Sequence, residues 1–269
     1  MIRLMSISDL HINAQTQEEM QAALLQIAQE QGVDVLVIAG DISDDVAFTK
    51  DFVRTLNKQL KTYYVPGNHD LWNINNKKTT GAIYNEFLAD EYCVLNRAIE
   101  LSDETVFIGH IGWYDYSFAM PRFTFAALSQ KEHEGIAWED TRYIHFEKDD
   151  VSLCRQYNAE IAQLLAEHTN KTKVLVTHMV NHERFLIKYT KRRDWTYFQG
   201  YLGSYELQKL ATEADYAICG HVHYRGVFRE TNTTFVCSCL GMPSEWQYFL
   251  KNQPLIEQVA HASFFVNLV

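Results

Sequence analysis

Apolar positions along the chain alternate between short continuous runs and helically spaced ones. Residues 2–7 form an apolar run that leads into Ser8-Asp9-Leu10-His11. Over 17–31, Met20, Leu24, Ile27 and Ala28 share one helical face, and Gly32 closes that helix. Val33 to Ala39 is almost continuously β-branched, the pattern of a strand buried on both faces, and it ends in Gly40-Asp41. Phe48, Phe52, Val53 and Leu56 predict a second helix. Residues 61–65 predict a third strand, stopped by Pro66-Gly67. Strand, helix, strand, helix, strand is the order of a parallel α/β sheet.

After a further helix over 79–90 the texture changes. Residues 93–110 read as short strands with turns. Residues 113–150 are dense in aromatic and charged residues without a clean period, which predicts a partly helical insertion. A helix follows over 151–169 through Val151, Cys154, Tyr157, Ile161, Leu164 and Leu165, and a buried strand over 173–177 ends at His178. Residues 182–203 make a long basic and aromatic connection, and long connections without a pattern of their own are usually functional. Ser204 caps a short helix. Residues 215–219 form a strand that ends in Gly220-His221-Val222-His223, and runs at 225–229, 233–240 and 263–268 complete a second set of strands. With no repeat, low-complexity tract or linker, the reading is one domain over 1–269 with an insertion at about 113–150.

Composition narrows the class. An apolar fraction of 47% and a charged fraction of 22% over 269 residues are those of a globular protein. A formal charge of −10 disfavours broad nucleic-acid or acidic-membrane binding. No apolar run reaches the roughly 20 residues that cross a bilayer. Met1 to Ile7 is short for a signal peptide and runs straight into Asp9 and His11, so the expected location is the cytoplasm. Five cysteines at irregular spacing argue against a disulfide framework, and Cys237 and Cys239 alternate onto one face of a strand as small core residues.

Asp9, His11, Asp41, Asn68, His178, His221 and His223 each stand just past the C-terminal end of an expected strand, the edge where open α/β sheets bind ligands. Each fragment alone is ordinary: Gly-Asp caps helices, and Asn-His-Asp makes turns. Together they offer oxygen and nitrogen donors without a thiolate, a set suited to borderline transition metals such as Mn, Fe, Zn, Co or Ni. Seven donors exceed the needs of one ion, so two ions that share a carboxylate are expected.

The chain resembles the calcineurin-like metallophosphoesterases. Their ordered pattern matches Asp9-Leu10-His11, Gly40-Asp41-Ile42-Ser43-Asp44, Gly67-Asn68-His69-Asp70, His178 and Gly220-His221-Val222-His223, without a departure. The resemblance implies an α/β four-layer sandwich of two mixed β-sheets flanked by helices. It implies two divalent or mixed-valence transition-metal ions on the strand ends, one held by Asp9, His11 and His223, the other by Asn68, His178 and His221, with Asp41 as the bridge. Asp44 is expected to orient a ligand or a neighbouring turn. The implied reaction is hydrolysis of a P–O bond by in-line attack of a metal-bridging hydroxide, with charge on the phosphoryl oxygens offset by the metals. His69 is expected to protonate the leaving oxygen and Asp70 to hold its tautomer.

Arg184, Lys188, Lys191, Arg192 and Arg193 follow His178 as a basic patch on an acidic chain, a possible receiver of substrate phosphate or a solvated loop. Trp113, Tyr114, Tyr116, Phe118 and Trp138 are expected to pack a small core of the insertion, with Trp195, Tyr197 and Phe198 against it. His110 is expected in a turn, and His182 at the surface. The substrate expected is a small phosphodiester. Phosphomonoesterase and nuclease activities of the same family are the alternatives, with a non-catalytic scaffold the reading from another class.

Overall fold

The computed structural model describes all residues except 73, 75, 76 and 188–194. Among the described residues twelve strands are formed: β1 Ile2–Ile7, β2 Val35–Ala39, β3 Lys61–Val65, β4 Arg97–Glu100, β5 Thr105–His110, β6 Glu132–His133, β7 Ile136–Ala137, β8 Thr172–Thr177, β9 Tyr216–Cys219, β10 Arg225–Glu230, β11 Thr233–Ser238 and β12 Phe264–Leu268. The α-helices among the described residues are α1 Gln17–Gln31, α2 Val46–Asn57, α3 Thr80–Leu88, α4 Phe125–Leu128, α5 Asp140–Tyr143, α6 Asp150–Glu167, α7 Trp195–Phe198, α8 Tyr205–Ala211 and α9 Leu255–Ala262.

One sheet has the order β12-β1-β2-β3, and the other β10-β11-β9-β8-β5-β4. Strands β1, β2 and β3 run parallel, as do β5, β8, β9 and β11, while β12, β10 and β4 pair antiparallel at the edges. Both sheets are therefore mixed. The period of two along a strand divides the apolar residues between two cores. Val35, Val37 and Ala39 join Val65, Phe107, Val174, Val176, Ile218 and Val236 in a cluster drawn from both sheets. Leu36 and Ile38 share the other cluster with Leu24, Ile27, Phe52 and Leu56 of α1 and α2. The β-branched run therefore does form a strand buried on both faces. Helix α1 lies against α9, α2 against β3, and α6 against β5 and α8. The result is the expected four-layer sandwich of two mixed sheets flanked by helices.

Three local features follow directly from residue chemistry. Gly32 takes a left-handed backbone (φ 63°) and ends α1. Asp45 accepts a bond from the Phe48 N–H and starts α2. Ser204 accepts from the Leu207 N–H and starts α8. The structure departs from the sequence reading at the C-terminus. The run at 263–268 does not join the second set of strands: β12 pairs antiparallel with β1 in the first sheet. A helix the pattern did not predict, α9, carries the chain back to that edge and packs on α1.

The C-terminal ends of β1, β2, β3, β8 and β9 gather at one end of the sandwich. The two sheets are tied there: Leu240 N–H donates to the Ser8 carbonyl (2.8 Å), and Gly241 N–H to that of Asp9 (3.1 Å). Asp70 is buried under the same end. Its carboxylate accepts from the backbone N–H groups of Ile42 (3.2 Å), Ser43 (3.1 Å) and Gly67 (2.8 Å) and from the Thr49 hydroxyl (2.8 Å). This overturns the expectation that Asp70 orients His69. Both carboxylate oxygens are taken by the β2–α2 turn and the β3 end, because those turns leave backbone donors with no ladder partner. Asp70→Asn is expected to destabilise the fold by about 1–3 kcal/mol, since an amide cannot accept at both ends. Asp44→Asn, at a half-exposed position, is expected to change stability by less. Urea unfolding of both variants checks this; equal losses would mean that Asp70 is not the brace.

Candidate metal centre

Backbone conformation shapes the site before any side chain is considered. Asp9 (φ 56°), His11 (φ 44°), Asp41 (φ 53°), His221 (φ 73°) and His223 (φ 47°) all adopt the left-handed region that non-glycine residues rarely occupy. Each stands two to four residues past the end of β1, β2 or β9, where a left-handed turn swings a side chain over the strand end. Such strain persists only where the surroundings over-determine it, and it clusters at functional sites. Close packing supplies the restraint. A Cβ on Gly67 would lie 2.1 Å from Asp41 Oδ1, and one on Gly40 would lie 2.4 Å from His178 Nδ1. Only glycine fits at either position.

The seven residues converge. Donor atoms of Asp9, His11, Asp41 and His223 lie within 4.8 Å of one another, as do those of Asp41, His178 and His221. Asp41 is common to both groups. Its Oδ2 is 3.9 Å from His11 Nε2, and its Oδ1 is 3.3 Å from His178 Nε2. Asp9 Oδ1 is 3.4 Å from His223 Nε2, which lies 3.0 Å from His11 Nε2. Asn68 Oδ1 is 2.9 Å from His178 Nε2.

The far sides of three imidazoles are tethered, which selects the nitrogen each presents inward. His178 Nδ1 donates to the Ala39 carbonyl (2.9 Å), and His223 Nδ1 meets Glu245 Oε2 (2.7 Å). His221 Nε2 reaches the Tyr201 carbonyl at 3.3 Å, which leaves Nδ1 for the centre. Charges follow from this crowding. Burial pushes His221 down to about 3 and His11 to about 4. Burial also acts to lower His178, but the Asp41 carboxylate outweighs it and lifts the imidazole to about 10. Burial acts to raise Asp41, yet His178 and His69 hold it well below the usual carboxylate range. His11 and His221 are thus neutral beside an ionised Asp41, the forms that bind cations, whereas His178 holds a proton that a cation would have to displace.

His69 stands at the rim. Asp44, not Asp70, meets its Nδ1 at 2.9 Å, and the backbone N–H of His69 donates to Asp41 Oδ1 (2.9 Å). Burial acts to lower the imidazole, but Asp41 and Asp44 outweigh it and raise it to about 9. The Trp72 indole stacks on the ring, with centroids 3.6 Å apart. Asp44 is therefore more than a helix-start carboxylate.

A cleft of about 450 Å³ opens over these residues. Asp41, Asn68, His69, His221 and His223 form its floor, and its apolar walls include Trp72, Ile136, Trp138, Ile187, Trp195 and Phe198. Trp113, Tyr114, Tyr116 and Phe118 are buried, and instead of packing a small core of their own they join Tyr197 and Tyr201 in the cluster that includes Leu24 of α1 and Phe52 of α2. Tyr197 and Tyr201 donate hydroxyls to the carbonyls of Ala127 (2.7 Å) and Leu128 (2.9 Å).

Several expectations are corrected by these positions. Arg184 does not line the cleft: its guanidinium packs 4.1 Å over the Phe228 ring. Lys188, Lys191, Arg192 and Arg193 lie outside the described residues. His110 is buried at the end of β5 and bonded to Glu160 (3.0 Å), and His182 is buried with Glu230 at 3.4 Å. Both rings sit on strands or beneath loops, where a polar partner replaces solvent. The sequence reading missed Glu245, Asp140 and Trp72, which touch site residues. Carboxylates in a chain with 34 of them carry no local signature, and no spacing marks these two.

The calcineurin-like phosphoesterase family model matches residues 2–225. An uncharacterized metallophosphoesterase of Helicobacter pylori is 30% identical over 132 residues, 46% of this chain and 32% of that protein. The match thus spans about a third of the curated relative's length. Phosphopantetheinyl hydrolase (PptH) from Mycobacterium tuberculosis superposes with a TM-score of 0.74 at 19% identity, covering 98% of this chain and 95% of that one. A dimetal phosphatase from Danio rerio superposes with a TM-score of 0.54 at 12% identity, covering 88% and 86%. The structural likenesses concern the fold; the ordered donor residues and the family match over most of the sequence together establish that this chain belongs to the calcineurin-like phosphoesterases.

Proposed function

We propose that the protein is a binuclear metal-dependent phosphoesterase that hydrolyses a phosphodiester of modest size. The observation that carries this reading is Asp41, shared by two groups of donors. Asp9, His11 and His223 would hold one ion, Asn68, His178 and His221 the other, and Asp41 both. The donor set fits: carboxylate, amide and imidazole suit Mn, Fe, Zn, Co or Ni. When bound, two such ions supply Lewis acidity and lower the pKa of a shared water.

The chain's own residues do the rest. Asp44 engages His69 Nδ1 and leaves Nε2 to protonate the leaving oxygen. The stacked Trp72 ring limits where that imidazole can turn. Residues 113–150 serve as a lid of a single domain, a reading supported by Ile136, Trp138 and Glu139 in the cleft wall. Charge supports a diester over a monoester. Glu139, Asp140 and Glu245 line the cleft, and no Lys or Arg does so among the described residues. A monoanionic diester meets less repulsion there than a dianionic monoester. The overall charge of −10 weighs against a nuclease. The cytoplasm remains the proposed location, supported by five free, buried cysteines.

Elemental analysis of active protein prepared with Mn²⁺ is expected to give two ions per chain, and Asp41→Asn to lose both metal and activity. A single ion in active protein would overturn the binuclear reading. His69→Asn is expected to retain both ions. With an alkyl diester, whose leaving alkoxide is strongly basic, it should lower kcat on the order of 10²–10⁴-fold. With a p-nitrophenyl diester, whose leaving group is stable unprotonated, the loss should be clearly smaller. Equal losses would remove His69 as the acid.

A further inference from the structure

We infer that the cleft beside the metal centre is a subsite for an apolar organic group, so that the preferred substrates are phosphoesters carrying an aromatic or extended alkyl substituent. The inference rests on the phosphoesterase reading and names its substrate class. Three elements distant in sequence contribute the walls: Trp72 after β3, Ile136 and Trp138 from the insertion, and Ile187, Trp195 and Phe198 from the connection after β8. These are large apolar side chains, several only half-buried, gathered within one cavity whose floor is the donor cluster. Isolated exposed apolar residues need no explanation, but a concave set over convergent polar groups does. Among the described residues, the polar groups that line the cleft outside the donor set are His69 and the carboxyl groups of Glu139, Asp140 and Glu245. Those three carboxyl groups offer a second anionic group no attraction.

Product-like monoesters test this as competitive inhibitors of diester hydrolysis. The inhibition constants of methyl, hexyl and 2-phenylethyl phosphate would be measured on the Mn²⁺-loaded full chain, with bis(p-nitrophenyl) phosphate as reporter. The 2-phenylethyl ester is expected to bind at least on the order of tenfold more tightly than the methyl ester. That ratio should collapse towards one in Trp195→Ala and in Ile136→Ser, both at half-buried positions. A flat series in the wild type, or an unchanged ratio in both variants, overturns the subsite. Absence of any diester hydrolysis would instead defeat the phosphodiesterase reading on which the inference rests.

A separate observation assigns a role to Asp140. This buried carboxylate, at the first residue of α5 in the insertion, accepts three side-chain bonds. Asn68 Nδ2 (2.8 Å) and Trp72 Nε1 (2.7 Å) donate to Oδ1, and Trp138 Nε1 (2.9 Å) donates to Oδ2. Because the Asn68 amide nitrogen is taken, its oxygen must face His178 and the centre. Because the Trp72 indole is taken, its ring is held against His69. The geometry points to Asp140 as a positioning residue through which the insertion sets the Asn68 ligand.

The test is titration of metal-free protein with Mn²⁺, followed by calorimetry, with circular dichroism to verify folding. Asp140→Asn keeps size but presents one acceptor and one donor end, so it cannot serve all three donors. It is expected to weaken one of the two equivalents on the order of 10–100-fold while the other is retained. Asp140→Ala should weaken the same equivalent at least as much. Two equivalents of wild-type affinity in folded Asp140→Ala would overturn the assignment; a wild type that binds fewer than two would instead defeat the binuclear reading.

Discussion

The whole site depends on strand ends that turn left-handed. Five of the seven donors sit at positive φ, a conformation that costs a non-glycine residue about 1–3 kcal/mol. No single turn could hold that alone. The turns hold one another: Asp9 N–H bonds the Gly40 carbonyl (2.9 Å), His11 N–H the Asp41 carbonyl (3.0 Å), and His221 N–H the Asp9 carboxylate (3.0 Å). Beneath them, Asp70 collects the amides of two turns with one carboxylate. The sandwich is thus a device for bringing strained turns from two sheets into register.

What those turns present is a concentration of buried polar groups that would be unfavourable in an ordinary core. Asp9 and Asp41 are almost wholly buried, as are Asn68 and His178. Each has a polar neighbour, yet the neighbours are largely one another. Tethers on the outer faces, from the Ala39 and Tyr201 carbonyls and from Glu245, direct the inner nitrogens and prevent the imidazoles from collapsing into simpler pairs. Preorganised donors of this kind require little rearrangement when charge develops near them.

The insertion gives the centre its surroundings. It is locked to the 195–201 segment by tyrosine hydroxyls, and its Asp140 is locked to Asn68 and Trp72. One face of the cleft is therefore rigidly linked to the donors, while its walls remain apolar. Donors and cleft walls come from different parts of the chain: the donors from strand ends, and the walls from the segments between strands.

Much of this was legible in the chain itself. The run Val35 to Ala39 has no polar position, so it had to be a strand covered on both faces. Gly-Asp, Gly-Asn-His-Asp and Gly-His-x-His follow directly on apolar runs, and that adjacency alone places their donors at one sheet edge. Glycine was needed at 40 and 67 because a side chain there would collide with His178 and Asp41. Other features had no local signal. The partner of His69 is Asp44, 25 residues away, rather than its neighbour Asp70, because the 3-10 turn at 69–71 points adjacent side chains in different directions. Asp140 lies 72 residues from Asn68, and Glu245 lies 22 from His223, in segments whose composition is that of ordinary surface loops. Strand β12 joined β1 instead of the second sheet because a strand's pairing is chosen by the open edge it meets, which no periodicity encodes. Local sequence determined which residues carry donors and where the strands end; only the tertiary structure decided which distant carboxylate orients which donor, because hydrogen bonds are set by proximity in space and leave no spacing in the chain.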